Sequence, residues 1–231
     1  MRTHSIQLGN KMFIINCKNY DEIAGDKIIK IAKISERISK KYKVPIAIAP
    51  PHHLIPLITK FKITVLAQHV DDKKVGSTTG FMVPEIVKKS KINGSIINHS
   101  EHRISEKEIV SLVKRLQKLK LKTVLCVKNV NEAKKFAKLN PTFIAIEPPE
   151  LIGTGRAIST EKPALITNAV KAVNAARNST KLLCGAGIVS GQDVSKAKEL
   201  GSKGILVASG IVKAKNWEKI ISEFCKGLKS Q

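Results

Sequence analysis

Short apolar runs alternate with amphipathic helical patterns eight times along the 231 residues, and this repetition constrains the fold more than any other feature. A run of three to five residues rich in Ile, Val, Leu and Ala predicts a strand that is covered on both faces, as in a parallel sheet. The predicted strands are residues 12–15, 45–49, 64–67, 94–98, 123–127, 143–146, 182–184 and 204–207.

The segments between these strands carry helical signals. Isoleucines at 28, 31, 34 and 38 form one apolar face, and Ser105 with Glu108 forms a capping box. The predicted helices are 21–41, about 53–60, a short helix from Pro84, 105–120, 130–139, 160–176, 190–200 and about 216–228.

Eight strands that alternate with eight helices predict a (β/α)₈ barrel, and we expect residues 1–231 to form one domain. An open, doubly wound α/β sheet is the alternative architecture. No G-x-G-x-x-G pattern follows the first predicted strand, which weakens that alternative.

Composition limits the partners and the compartment. Lysine and arginine number 41 against 18 acidic residues, giving a net charge of +23. Such a charge indicates a polyanionic partner or a small phosphorylated substrate, or it is an adaptation of the cell with no specific partner. The four cysteines lack paired spacing, so we expect reduced thiols and no metal site. No apolar run reaches the length of a membrane span, and together with the reduced thiols this predicts a cytoplasmic protein.

Polar residues follow several predicted strands, at the end where barrels of this kind place catalytic groups. Glu147 is a candidate base, His99 a candidate electrophile, and Lys18 a cation for an anionic substrate. Asn16 and Glu101 lie beside them in the sequence. Each residue also has an ordinary interpretation, as a surface lysine, a core histidine or a solvated carboxylate, but all fall at the same end of separate strands.

Three further segments fall at this end. Two small-residue turns, at Gly187 and at residues 208–210, leave the backbone N–H groups accessible to a phosphate, or they are simply tight turns. In the segment 147–155, two rigid prolines, Pro148 and Pro149, follow Glu147, and the segment ends in Gly-Thr-Gly. This pattern is typical of a lid that moves as a unit, although an ordinary strand-to-helix loop remains an alternative.

These motifs together resemble the triosephosphate isomerase family, and the length and lid sequence resemble its archaeal branch. The motifs are Asn-Cys-Lys at 16–18, Asn-His-Ser-Glu at 98–101, the segment 146–155, Cys-Gly-Ala-Gly at 184–187 and Val-Ala-Ser at 207–209. The resemblance covers essentially the whole chain.

The resemblance implies interconversion of dihydroxyacetone phosphate and glyceraldehyde 3-phosphate without a cofactor or metal. It assigns the base to Glu147, the proton relay to His99, and substrate binding to Asn16 and Lys18. A neutral histidine electrophile and a closing loop are known features of this family. The resemblance also assigns Glu101 to position Lys18, Gly153 to the lid, and the phosphate to backbone groups around Ile152, Gly187, Ala208 and Ser209.

Oligomeric state and alternative functions complete the expectations. The polar loop 76–80 resembles the family loop whose threonine, here Thr79, reaches a neighbouring subunit, so we expect a homodimer or homotetramer.

Glu150 and Cys184 replace residues that many relatives use in lid contacts. The alternatives are a barrel that has lost catalysis and binds nucleic acid, or another phosphate-binding barrel such as an epimerase or aldolase. No specific nucleic-acid motif is visible.

Overall fold

Eight short strands lie side by side in chain order and close into a barrel. The structure is a computed structural model that describes residues 11–229. All eight strand pairings are parallel, and β1 pairs with both β2 and β8, which excludes the open sheet. The strands are β1 Met12–Asn16, β2 Ile46–Ala49, β3 Thr64–Ala67, β4 Gly94–Ile97, β5 Lys122–Val127, β6 Phe143–Ile146, β7 Lys181–Gly185 and β8 Gly204–Val207.

Alternate side chains along each strand point to the two faces of the barrel wall. Met12, Ile14 and Leu206 belong to an interior cluster that fills the barrel. Phe13 and Ile15 point outward and pack in a larger cluster between the barrel and the helices. Both faces are therefore apolar, which explains why the strands read as continuous apolar runs.

Helices cover the outside of the barrel and return the chain to the start of the next strand. They are α1 Lys27–Tyr42, α2 Ile55–Ile58, α3 Pro84–Lys89, α4 Glu106–Lys118, α5 Val130–Ala137, α6 Ile158–Glu161, α7 Pro163–Asn174, α8 Gly191–Glu199, α9 Ser209–Val212 and α10 Trp217–Lys229. The predicted capping box of α4 is confirmed, because Ser105 accepts the N–H of Glu108 and Glu108 accepts the N–H of Ser105.

The predicted helix 160–176 is confirmed over α7, with Pro163 in its first turn, but its start is wrong, because residues 160 and 161 belong to the separate helix α6. Lys162 separates α6 from α7 with φ −137° and ψ 55°. Its neighbour Pro163 disfavours the helical conformation at the preceding residue, so a proline at the start of α7 also ends α6.

Two other predictions need correction, and two elements were not predicted. The helix predicted to start at Asp21 starts at Lys27, and Asp21–Ile23 is a separate 3₁₀ turn. The predicted helix 53–60 is a 3₁₀ turn, His52–Leu54, followed by α2. Sequence reasoning missed α9 and a 3₁₀ turn at Pro149–Leu151 in the lid segment. Other boundaries differ by one to three residues, as frayed ends often do.

Two expectations concern the chain as a whole. All four cysteines are free and buried, as expected for reduced thiols. None of the helices between residues 11 and 229 is long and apolar enough to cross a membrane. Residues 1–10 and 230–231 of the expected single domain lie outside the described residues.

Candidate active site

The carboxyl ends of the strands surround one cleft, and most of the predicted site residues line it. Lys18 follows β1, His99 follows β4, and Glu147 directly follows β6. The predicted residues that line this cleft are Lys18, His99, Glu147, Ile152, Gly153, Gly187, Ala208 and Ser209.

The remaining predicted residues lie nearby or apart. Asn16 and Glu101 line a second cleft, which adjoins the first because Lys18 and His99 line both. Thr79 is exposed and lines neither cleft. The structure therefore brings together every predicted residue except Thr79.

Glu147 is a buried carboxylate with one uncommitted oxygen. Its side chain is 6% exposed, and Oε2 has no hydrogen-bond partner among residues 11–229. The nearest cationic or imidazole nitrogen is His99 Nε2 at 3.7 Å, which is too far for a hydrogen bond. A buried polar atom without a partner is costly, and such atoms are found at functional positions.

Two neighbours fix the position of this carboxylate. Gly185 ends β7 directly against it, and a Cβ atom there would lie 2.5 Å from Glu147 Cγ. The Cys126 thiol lies on the other strand beside β6, where burial and then the charge of Glu147 raise its pKa. Glycine at 185 therefore provides the space that the Glu147 side chain occupies.

His99 is held in one tautomer by the backbone. The Glu101 N–H donates to His99 Nδ1 at 3.2 Å, so Nδ1 carries the lone pair. The proton of the neutral ring is then on Nε2, the nitrogen that faces Glu147. Such a ring can donate a hydrogen bond to a substrate oxygen from Nε2.

Lys18 has a left-handed backbone conformation, with φ 45°, which is uncommon for a residue with a side chain. Its N–H donates to Asn16 Oδ1 at 3.1 Å, and its carbonyl accepts from Gln68 Nε2 at 2.8 Å. Its ammonium donates to Glu101 Oε1 at 2.6 Å. Residues on three strand ends thus hold both the backbone and the charge of Lys18.

Gln68 is a residue that sequence reasoning missed. It directly follows β3, and its amide also donates to the Ala49 carbonyl at 3.1 Å. Its position at a strand's carboxyl end was a usable signal, because the other site residues were found by that rule. The hydrogen bond to Lys18 joins residues 50 positions apart and could not be read from local pattern.

The turns after β7 and β8 form the other side of the cleft. Gly187 has φ +68°, and a Cβ atom there would lie 1.8 Å from the carbonyl oxygen of Arg156. Glycine therefore allows the end of the lid segment to approach this turn. Ser209 and Gly210 open α9, where the first N–H groups have no acceptor within the helix, and both line the cleft.

The lid segment makes contacts that hold it as one unit. The Thr154 hydroxyl donates to the Leu151 carbonyl at 2.9 Å and accepts from the Arg156 N–H at 3.1 Å. Glu150 forms an ion pair with Lys162 of the link to α7, a contact that the family resemblance did not imply. The side of the lid that faces the cleft is formed by Ile152, Gly153 and Gly155.

The cysteines at strand ends do not form a metal site. Burial raises the pKa of the Cys17 thiol to about 12 and that of Cys184 well above its usual value, so both stay protonated near neutral pH. Across residues 11–229 no group of three or more His, Cys, Asp or Glu side chains is placed to hold a metal ion.

The fold and the cleft define a class of protein. It is a (β/α)₈-barrel enzyme whose cleft combines a buried carboxylate, a neutral imidazole, an ammonium group and turns that can take an anion. A family model described as triosephosphate isomerase matches residues 11–224. The chain belongs to the triosephosphate isomerase family, and it is an isomerase of a kind that acts on a small phosphorylated substrate.

Curated relatives extend over nearly the whole chain. The triosephosphate isomerase of Cenarchaeum symbiosum is 52% identical over 217 residues, which are 94% of this chain and 97% of that protein. The enzyme of Methanocaldococcus jannaschii is 41% identical, covering 93% of this chain and 99% of its own. That of Methanothermus fervidus is 40% identical, covering 92% and 96%. The resemblance to the archaeal branch is thus confirmed, and the epimerase or aldolase alternative is wrong.

Proposed function

We propose that this chain interconverts dihydroxyacetone phosphate and glyceraldehyde 3-phosphate with protein groups alone. The observation that carries the proposal is the buried Oε2 of Glu147, which has no hydrogen-bond partner within residues 11–229 and lies 3.7 Å from His99 Nε2. A carboxylate oxygen that lacks a donor is free to accept a proton from a substrate held in the cleft.

The first step is removal of a proton from the carbon next to the carbonyl group. Glu147 takes this proton, and the electron pair of the C–H bond forms the C=C bond of an enediolate. The carbonyl oxygen becomes an oxyanion, which His99 Nε2–H and the Lys18 ammonium stabilise. One such donor typically contributes about 10²–10³-fold to the rate.

The second step returns the proton to the neighbouring carbon. His99 moves a proton between the two substrate oxygens, because its Nε2 can both donate and accept once the oxyanion is formed. Glu147 then protonates the adjacent carbon and is regenerated as a carboxylate. The electrons stay within the substrate, so the reaction requires no external oxidant or reductant.

The phosphate is assigned to backbone groups around Ile152, Gly187, Ala208 and Ser209. All four line the cleft with Glu147, and the turns at 187 and 209 have no long side chains. Closure of the lid over this group would exclude water and protect the enediolate. Asn16 and Glu101 act through Lys18, by holding its backbone N–H and its ammonium group.

Purified protein in a coupled assay, without added metal, tests the reaction. Glu147→Gln keeps the size of the side chain and removes the proton acceptor, so kcat should fall by at least about 10²–10⁴-fold. Glu199→Gln, an exposed carboxylate at the end of α8, is the matched control and should leave kcat unchanged. A Glu147→Gln variant with more than a tenth of the wild-type kcat would exclude Glu147 as the base.

We also propose that the enzyme is a homodimer or homotetramer in the cytoplasm. Val75 and Phe81 of the loop that holds Thr79 are 57% and 46% exposed, and a partner subunit would cover them. The four free thiols suit a reducing compartment. Thr79→Arg should weaken association, and a monomeric mass for active wild-type protein in light scattering at nanomolar concentration would refute the assembly.

A further inference from the structure

All eight strands start at the same end of the barrel, opposite the active-site cleft, and that end carries a ring of basic residues. Seven links join the last helix before a strand to the start of that strand: residues 43–45, 59–63, 90–93, 119–121, 138–142, 175–180 and 200–203. Each link contains at least one lysine or arginine, and none contains an aspartate or glutamate. Three more lysines stand at or just before the first residue of a strand. We call the following residues the basic face: Lys11, Lys43, Lys60, Lys62, Lys91, Lys120, Lys122, Lys138, Arg177, Lys181 and Lys203.

Two carboxylates, those of Glu36 and Glu218, line a cleft together with Lys43 and Lys62 of the basic face. Within residues 11–229, none of the members of the basic face forms an ion pair with a carboxylate. Burial and then the charges of Lys198 and Lys203 lower the pKa of Lys11, and burial and Lys88 lower that of Lys122. Within the basic face, Lys203 is thus close enough to Lys11 to disfavour its charge.

Four members occupy backbone positions that favour glycine. Lys43, Lys91, Lys120 and Arg177 follow helices and have φ between 51° and 61°. Glycine adopts this left-handed conformation freely, whereas a residue with a Cβ atom does so at a cost of about 1 kcal/mol. The chain therefore places positive charge at four positions where another residue would be conformationally cheaper.

The dipoles of the helices explain only part of this arrangement. A cation near a helix C-terminus gains about 0.3–1 kcal/mol, and the effect fades beyond the last turn. That gain is no larger than the conformational cost at the four left-handed positions. It also leaves Lys11, Lys122 and Lys181 unexplained, because these residues flank or open strands.

Besides the cleft that Lys43 and Lys62 share with Glu36 and Glu218, the basic face has a second concave part. Lys120, Lys122 and Lys181 line a cleft between the starts of β5, β6 and β7, together with Ser179 and Asn140, and no carboxylate lines it. Ammonium groups and small polar side chains are the usual contacts of nucleic-acid phosphates.

We propose that the basic face binds double-stranded nucleic acid through its phosphates, without sequence specificity. A duplex fits better than a single strand, because single-strand sites stack bases on exposed rings. The exposed large apolar side chains of the described chain include one aromatic ring, that of Phe81, which follows β3 at the other end. Phe61, between Lys60 and Lys62, is half-buried and packs against the core. A duplex needs only phosphate contacts, which this face supplies.

Two triple variants with equal charge change test the location. Lys91→Glu, Lys120→Glu and Lys203→Glu alter exposed residues of the basic face. The control carries Lys107→Glu, Lys215→Glu and Lys219→Glu, exposed residues near the starts of α4 and α10. Each triple lowers the net charge by 6, from +23 to +17. Thermal unfolding checks that both triples are folded.

Binding of a labelled duplex is measured by fluorescence anisotropy between about 50 and 200 mM salt. Each phosphate contact contributes about −0.9 to the slope of log K against log salt concentration, so the basic-face triple should flatten the slope by about 2.7. The control should keep the wild-type slope. The isomerase kcat of the wild-type protein should be the same with and without saturating duplex, because the basic face is at the end of the barrel opposite the cleft.

Several results would overturn the proposal. The first is that the wild-type protein does not bind the duplex at the lowest salt concentration. The second is that both triple variants weaken duplex binding equally, and the third is that the duplex inhibits the isomerase. Vesicles rich in phosphatidylserine are the competing ligand. If the basic-face triple lost vesicle binding and kept duplex binding, the face would belong to a membrane surface and not to nucleic acid.

Discussion

Gly185→Ala is expected to disable the enzyme by moving the side chain of Glu147. The added Cβ atom would lie 2.5 Å from Glu147 Cγ, 2.8 Å from Oε1 and 2.9 Å from the carboxyl carbon. Ordinary contacts between such atoms are about 3.5–4.0 Å, so the carboxylate has to move by about 1 Å.

A displacement of this size is small for the fold and large for the reaction. Misplacing a reacting group by about 1 Å costs about 10²-fold in rate, or about 2.7 kcal/mol of activation free energy. Overpacking one methyl group costs stability by about 1–3 kcal/mol. We therefore expect a folded variant with kcat lowered about 10²-fold and KM changed much less, because the proposed phosphate contacts are elsewhere in the cleft.

Steady-state kinetics in both directions, together with thermal unfolding, measure the two effects. Gly25→Ala is the matched control, because a Cβ atom at Gly25 meets nothing within 4 Å and adds only strain at φ +56°. That variant should lose some stability and keep kcat. A Gly185→Ala enzyme that unfolds near the wild-type temperature and keeps half its kcat would refute the fixed placement of Glu147.

Two further predictions concern the surroundings of Lys18 and the histidines. Gln68→Met keeps the length of the side chain but removes the donor to the Lys18 carbonyl. We expect kcat/KM to fall about tenfold, while the thermal unfolding midpoint shifts by only a few degrees. An unchanged kcat/KM would show that Lys18 does not need this hydrogen bond. Burial, followed by the charge of His102, lowers the pKa of His69, whose ring stacks on that of His102 at 3.9 Å. The unfolded chain then binds protons more readily than the folded one, so the free energy of unfolding should be level above about pH 6.5 and decrease below it. Urea titrations across this range should show a shallower decrease for His69→Gln and the wild-type decrease for the exposed His53→Gln; identical profiles for all three proteins would contradict this origin.

The strands and the main catalytic candidates could be predicted because their signals are local. An apolar run that stops at a carboxylate and two prolines identifies both the end of β6 and Glu147. Strand-end position made Glu147 and His99 candidates, and the family resemblance assigned them the roles of base and proton relay, since position alone does not distinguish a base from a solvated carboxylate.

The missed features depend on contacts between distant parts of the chain. Gln68 acts on Lys18 only because β1 and β3 end at the same level of a closed barrel. The helix α9 has four residues, too few for an apolar period to appear. At Pro163 two local rules competed, since proline suits the first turn of a helix and also disfavours a helical residue before it.

The basic face and the active-site cleft lie at opposite ends of the barrel, so the two ends of the molecule have different surfaces. A negatively charged solid support that binds the basic face would hold the end that carries the strand starts. The opposite end, with the lid and its substrate entrance, would then point away from the support. Adsorption through the basic face would therefore leave the catalytic cleft open to the passing solution, without a chemical linker or an engineered tag.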